Sequence, residues 1–155
     1  MQSLLEHMDA PARSLAEADR VLVTNGALHI STTNRWKFSF TGNNGEFRTR
    51  FYNWLPSIIK ESYVFLHLHY QPSLANYSER PAVHWFSYPD LCKLGREAGF
   101  AKFYSWIDLV DEDSPIVAKS NLRRLLLNKV RYNPWLRSLA LTQAGGSIFM
   151  LKRPE

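Results

Sequence analysis

A single cysteine, Cys92, stands among the 155 residues of this sequence. An internal disulfide is excluded, and with it the small secreted scaffolds built on several. No apolar run approaches the roughly 20 residues that a membrane span requires. The opening residues lack the basic, apolar and small-residue blocks of a secretory leader. Cysteine usage and the missing leader pattern make a cytoplasmic location the expectation. Glycine is scarce, at seven. Gly42 and Gly45, in the polar stretch 41–45, follow no clear strand and open no clear helix. No glycine-rich turn of the kind that brings a helix N-terminus against a phosphate is therefore visible. Acidic residues nearly vanish after position 118. Eight Lys or Arg and one Glu occupy 119–155, against 11 basic and 13 acidic residues before it.

What is present is ordinary globular composition, 45% hydrophobic and 21% charged, with a net charge of +5. The length suits one domain. Five Trp, seven Tyr and nine Phe are too many for a disordered chain. No internal repeat stands out. The basic C-terminal segment reads as a solvated helix face, or as a surface for nucleic acid, anionic lipid or an acidic partner.

The periodicity predicts a helix over 10–23. Asp9 precedes it, Pro11 falls in its first turn, and Leu15, Ala18 and Leu22 form its stripe. Asn25 and Gly26 end it, and a strand follows over 27–33. From 34 to 86 the pattern loosens into an insertion. It holds the polar loop 41–45, a helical stretch over 51–68 marked by Pro56, and a polar loop over 71–81. Trp36, Phe38, Phe40, Phe51, Tyr52, Trp54, Tyr63 and Phe65 give this insertion the aromatic content of a cover. Ser87 caps a helix that Pro89 opens, Leu91, Leu94 and Ala98 line, and Gly99 stops. A strand is expected over 100–110. Ala101, Phe103, Ser105, Ile107 and Leu109 would form one face, and Phe100, Lys102, Tyr104, Trp106 and Asp108 the other. The acidic stretch 111–115 reads as a turn. A helix over 121–132 is expected to turn Leu122, Leu125, Leu126 and Val130 inward. Asn133 and Pro134 interrupt it, and a second helix runs to 141. Gly145 and Gly146 lead into a strand over 147–152. Its run Ile148, Phe149, Met150, Leu151 is apolar on both parities, as in a strand buried on both faces.

Three segments together resemble one family. Leu5, Glu6 and His7, followed by Asp9 and by Arg20, Val21 and Leu22, resemble the turn and helix after the fourth strand of class I S-adenosylmethionine-dependent methyltransferases of the type 11 kind. Residues 28–35 look like the fifth strand of that family. Ser87, Pro89, Leu91, Leu94 and Gly99 resemble the helix leading to its sixth strand. Gly145, Gly146 and the run to Arg153 look like its closing seventh strand. The resemblance implies an α/β fold: the C-terminal half of a Rossmann-like methyltransferase, with a three-stranded mixed sheet and flanking helices. It places the last strand between the first two. The family's glycine-rich cofactor turn and the acidic end of its second strand have no counterpart here. The chain 1–155 is accordingly read as one partial methyltransferase domain, with 34–86 as the variable cover over the substrate.

The resemblance also assigns candidate residues. Leu5, Glu6 and His7 would border S-adenosylmethionine; otherwise Glu6 and His7 cap the next helix and pack against Arg20. Asn34, Arg35 and Trp36 follow the fifth-strand equivalent at its C-terminal end, where open α/β sheets bind ligands. They would contact a small-molecule methyl acceptor, or else form a polar loop exit. His84, beside Trp85, would line the same pocket or join a packed aromatic pair. Methyl transfer from a sulfonium needs orientation and a dry pocket, so no catalytic base need be visible. His67 and His69 lack partners at zinc-site spacing, so no metal site is assigned. Cys92 has no activating neighbour in sequence and reads as a core thiol. By itself the chain is expected to bind the cofactor weakly or not at all. Its open strand edge is expected to make it marginal, self-associating or dependent on a partner. The alternative is a non-catalytic binding module that uses the basic C-terminal segment.

Overall fold

The computed structural model describes residues 4–36, 51–71, 73, 82–111, 113–144 and 146–154. The loop 41–45, Phe38, Phe40 and nearly all of 71–81 lie outside the described residues.

A 3₁₀ turn, Leu5–His7, leads into α1, Pro11–Val21. Pro11 occupies its first turn, where a missing N–H costs nothing, and Leu15 is wholly buried. Asn25, rather than Gly26, takes the left-handed conformation that turns the chain (φ 61°). Strand β1, Ala27–Ser31, follows. Beyond the undescribed stretch a second 3₁₀ turn, Tyr52–Trp54, precedes α2, Ser57–His69. Helix α3, Tyr88–Ala98, opens on a reciprocal cap. The Ser87 hydroxyl accepts from the Asp90 N–H, and the Asp90 carboxylate accepts from the Ser87 N–H. Gly99 ends α3 at φ 112°. Its bare Cα permits close approach to α1, because a Cβ there would stand 2.9 Å from an Asp19 carboxylate oxygen. Strand β2, Phe100–Ser105, is followed by the short α4, Trp106–Leu109, and α5, Pro115–Ala118. Helices α6, Asn121–Tyr132, and α7, Pro134–Ala144, return the chain to β3, Ser147–Lys152.

The last strand lies at the centre of the sheet, in the order β1-β3-β2. Both pairings are antiparallel, with Ile30 opposite Ile148 and Phe103 opposite Met150. The sheet is therefore antiparallel at every pairing, not mixed as expected; its two outer strands run the same way but never pair with each other. Ile30, Ile148 and Met150 form one face with Leu5, Leu15, Phe86, Leu91 and Phe100, under α1 and α3. The other face of β3 is only partly covered. Phe149 stacks on His29 with ring centroids 4.3 Å apart. The expectation of a strand buried on both faces thus holds for one.

Two further expectations are corrected. The strand over 100–110 ends at Ser105, because Ser105 caps a helical turn. Its N–H and hydroxyl both donate to the Asp108 carboxylate, at 2.7 Å each. Arg137 on α7 grips the same carboxylate with two bonds of 2.7 and 2.8 Å. The register also shifts between Phe100 and Lys102. This bulge brings Phe100 to the buried face despite its sequence parity. On α6 the leucine stripe points outward. Leu122, Leu125 and Leu126 are exposed, while Leu127 is buried with Ile107 and Val117. Arg131 explains the rotation. Its guanidinium donates to the carbonyls of Ile107 and Val110, which fixes that side of α6 against α4.

Two outcomes follow. A Cβ at Gly95 would lie 2.5 Å from the Phe103 ring and 2.8 Å from the Met150 sulfur. Gly95→Ala should lower stability in a urea titration by about 1–2 kcal/mol, overpacking outweighing the helix-propensity gain. Burial alone would raise the Asp108 pKa, but the bonds from Arg137 and Ser105 outweigh it and hold the carboxyl at about 2. The group is depressed in the folded state. Its contribution, about 2 kcal/mol, is complete above the unfolded value and is lost as pH falls from about 4 toward 2. Urea titrations at a series of acid pH values should show that slope, and Asp108→Asn should flatten it.

Candidate functional site

Beyond the C-terminal end of β1, three distant segments are tied together by hydrogen bonds. Glu6 sits at the middle. Its carbonyl accepts from the N–H groups of Val83 and His84, at 2.9 and 3.1 Å. Its carboxylate, on a residue only 3% exposed, accepts from the Thr32 hydroxyl at 2.7 Å. The Thr33 hydroxyl donates to the His84 carbonyl at 3.0 Å. Asn34 and Phe86 form a parallel bridge, with the Arg35 N–H donating to the Phe86 carbonyl. The Asn34 amide donates to the Thr142 carbonyl, which fastens the same loop to α7. Thr32 is held from below as well, through its N–H to the Gly146 carbonyl at 2.8 Å.

This knot opens a cleft of about 350 Å³ toward α3. Arg35, His84 and Trp85 form one wall, and Asp90, Lys93 and Glu97 of α3 form the other. Glu61 of α2 closes one side. Asp90 is ionised at neutral pH. Burial would raise its pKa, but the Ser87 bonds hold it below the ordinary value, and Arg35 and Lys93 add to them. Lys60, buried beside the Tyr52 ring, is pushed below the ordinary lysine value by desolvation and by Arg35. The Nε of Arg35 is buried and makes no hydrogen bond among the described residues.

Arg35 and His84, 49 positions apart in sequence, thus meet in one cleft. Asn34 acts as the fastener of the loop. Trp36 is 60% exposed and does not line the cleft. Leu5 is fully buried in the main core, and His7 is half-buried with its Nδ1 unpartnered among the described residues. Sequence reading missed Glu61, Asp90, Lys93 and Glu97. The last three had a usable signal, since positions 90, 93 and 97 share one helix face beside the Leu91 stripe.

The cleft offers charges of both signs and hydrogen bonds to a small polar molecule. Among the described residues it holds no activated nucleophile. Cys92 belongs to the core, and burial pushes its thiol up, away from the reactive thiolate. His67 is buried with its ring beside the Gln71 carbonyl. Among the described residues no three His, Cys, Asp or Glu side chains gather as metal ligands. None of their helices is long and apolar enough to cross a membrane.

Thr32→Val would leave the buried Glu6 carboxylate without its hydroxyl donor. A loss of about 1–3 kcal/mol in urea titration is expected. Comparison with protein-family models, with curated proteins and with solved structures gives no match for this chain.

Proposed function

We propose that this chain forms the acceptor-side part of a class I S-adenosylmethionine-dependent methyltransferase, and that the Arg35–His84 cleft takes a small, polar methyl acceptor. The observation that carries this reading is topological. The last strand lies antiparallel between two outer strands that run the same way. The cleft beyond the carboxyl end of β1 supports it further, since ligands of open α/β sheets bind there.

The cofactor of that family does not fit the described residues by themselves. It needs closely packed backbone N–H donors and a carboxylate free for its ribose. In the turn Leu5–His7, the Glu6 carboxylate is already bonded to Thr32 and its carbonyl to two N–H groups. Leu5 is sealed in the core. No step of transfer is therefore assigned to these residues. Their part in this reading is to shape and orient. Arg35 supplies a fixed positive group, Asp90 and Glu97 supply negative ones, and Trp85 and Phe86 supply apolar wall. Such a pocket positions an acceptor, which is what methyl displacement asks of a protein.

The decisive test is to read the coding DNA upstream of the Met1 codon in all frames. A strand, a glycine-rich turn and an acidic second-strand end, in frame or one frameshift away, are the expected result. Unrelated sequence broken by stops would overturn the reading. Calorimetric titration of the 155-residue chain with S-adenosylmethionine should show no micromolar binding. In the chain joined to such upstream residues, Arg35→Ala should raise the acceptor KM about tenfold or more. An unchanged KM would remove the cleft from the mechanism.

A further inference from the structure

The outward leucine stripe of α6 lies outside the cleft and is unused by it. Leu122, Leu125, Leu126 and Tyr132 occupy the exposed side of this helix, and exposed Lys129 stands among them. The next helix also leaves large apolar side chains exposed. Trp135 is 86% exposed and Leu139 is exposed one turn on, while Tyr132 at the junction is 85% exposed. A helix normally turns its apolar side to the core, so this arrangement leaves a large apolar surface to be covered.

The charge around that surface says what covers it. No acidic residue occurs from 119 to 154. Arg131 and Arg137 are engaged inward, with backbone carbonyls and with Asp108. Lys119 and Lys129 stand exposed. Leucine, tryptophan and tyrosine set beside exposed cations match the boundary between anionic headgroups and acyl chains. A groove of about 600 Å³ adjoins the stripe at Leu126, lined mainly by carbon from Trp106, Ile107, Leu109 and Val130, with Arg123 and Asp111 both at its lining. It offers an acyl chain an apolar bed. A second copy fits less well, because Lys119 and Lys129 would meet their own kind. Nucleic acid would use the cations and leave the leucines wet.

We propose that α6 and α7 dock this chain peripherally on an anionic lipid surface, with Leu122, Leu125, Leu126 and Trp135 entering the interface and Lys129 meeting the headgroups. This inference is independent of the methyltransferase reading.

The test is co-sedimentation of the full chain with vesicles of phosphatidylcholine containing about one quarter phosphatidylserine, a probe composition for the anionic surface. The same measurement uses pure phosphatidylcholine vesicles as comparison. Binding to the anionic vesicles is expected to exceed the comparison by about tenfold or more. Lys129→Ala should weaken it about fivefold, as expected for one cation near the surface. Leu125→Asn and Trp135→Ala should weaken it at unchanged far-ultraviolet circular dichroism. These side chains are exposed, so the fold should tolerate the changes. Equal binding to both vesicles, or none to either, would overturn the proposal. So would lipid-free dimers that Leu125→Asn disperses, which would assign the face to a second copy. Tight, salt-sensitive binding of a DNA duplex that Lys129→Ala weakens and Trp135→Ala leaves unchanged would overturn it in favour of nucleic acid.

Discussion

The whole architecture hangs on β3. Strands β1 and β2 have no pairing with each other, and each is held in the sheet by hydrogen bonds to this one strand. Ile148 and Met150 then fill the space beneath α1 and α3. The β1–β3 register joins residues 27–31 to 147–151, nearly the two ends of the chain. Such pairing must offset the entropy of closing a long loop before it stabilises anything. Lys152 strengthens the closure from the side. Its ammonium donates to the Asp19 and Leu22 carbonyls at the C-terminal end of α1, where a cation is favoured.

The cleft is a consequence of that closure. With β1 seated on β3, Thr32 receives its support from Gly146, and Glu6 can then gather 82–86 around itself. The buried Glu6 side chain keeps a hydrogen bond from the Thr32 hydroxyl, and the backbone carbonyl of the same residue is separately satisfied by two N–H groups. Arg35 and His84 are brought into one cleft by backbone bonds, not by direct attraction. The cleft's shape therefore depends on the main chain, and its charges remain available to a ligand.

On the opposite flank the polar contacts decide the packing. Asp108 receives Ser105 and Arg137, and Arg131 reaches the carbonyls of Ile107 and Val110. These bonds seat α6 and α7 by their polar and mixed sides. The cluster of Ile107, Val117 and Leu127 is small. Most leucines of α6 are left outside, which is why an apolar and basic surface lies next to the groove.

Local features were legible in the amino-acid order wherever a single turn or one period carries them. The Ser87 cap, the Gly99 stop, the bounds of α6 and the run that becomes β3 follow from side-chain chemistry within a few residues. The place of β3 between the other strands came from likeness of motifs, and periodicity alone did not yield it. The end of β2 at Ser105 was marked by a serine and an aspartate three apart, a cap that an apolar run obscured. The facing of α6 had no local signal. Two stripes were available to that helix, and its leucines made the stronger one. The part-buried guanidinium bonds of Arg131 selected the other, and their partners lie more than twenty residues away on α4 and just after it. The cleft is of the same kind. Arg35, His84 and the acidic face of α3 are separate facts along the chain, and only the backbone bonds around Glu6 and Phe86 make them one site. Sequence by itself determined the longer elements, though not the end of β2 or the short helices after it, since propensity and capping act over short distances. Tertiary structure decided their facing and the cleft, since those depend on which distant polar groups satisfy one another when water is removed.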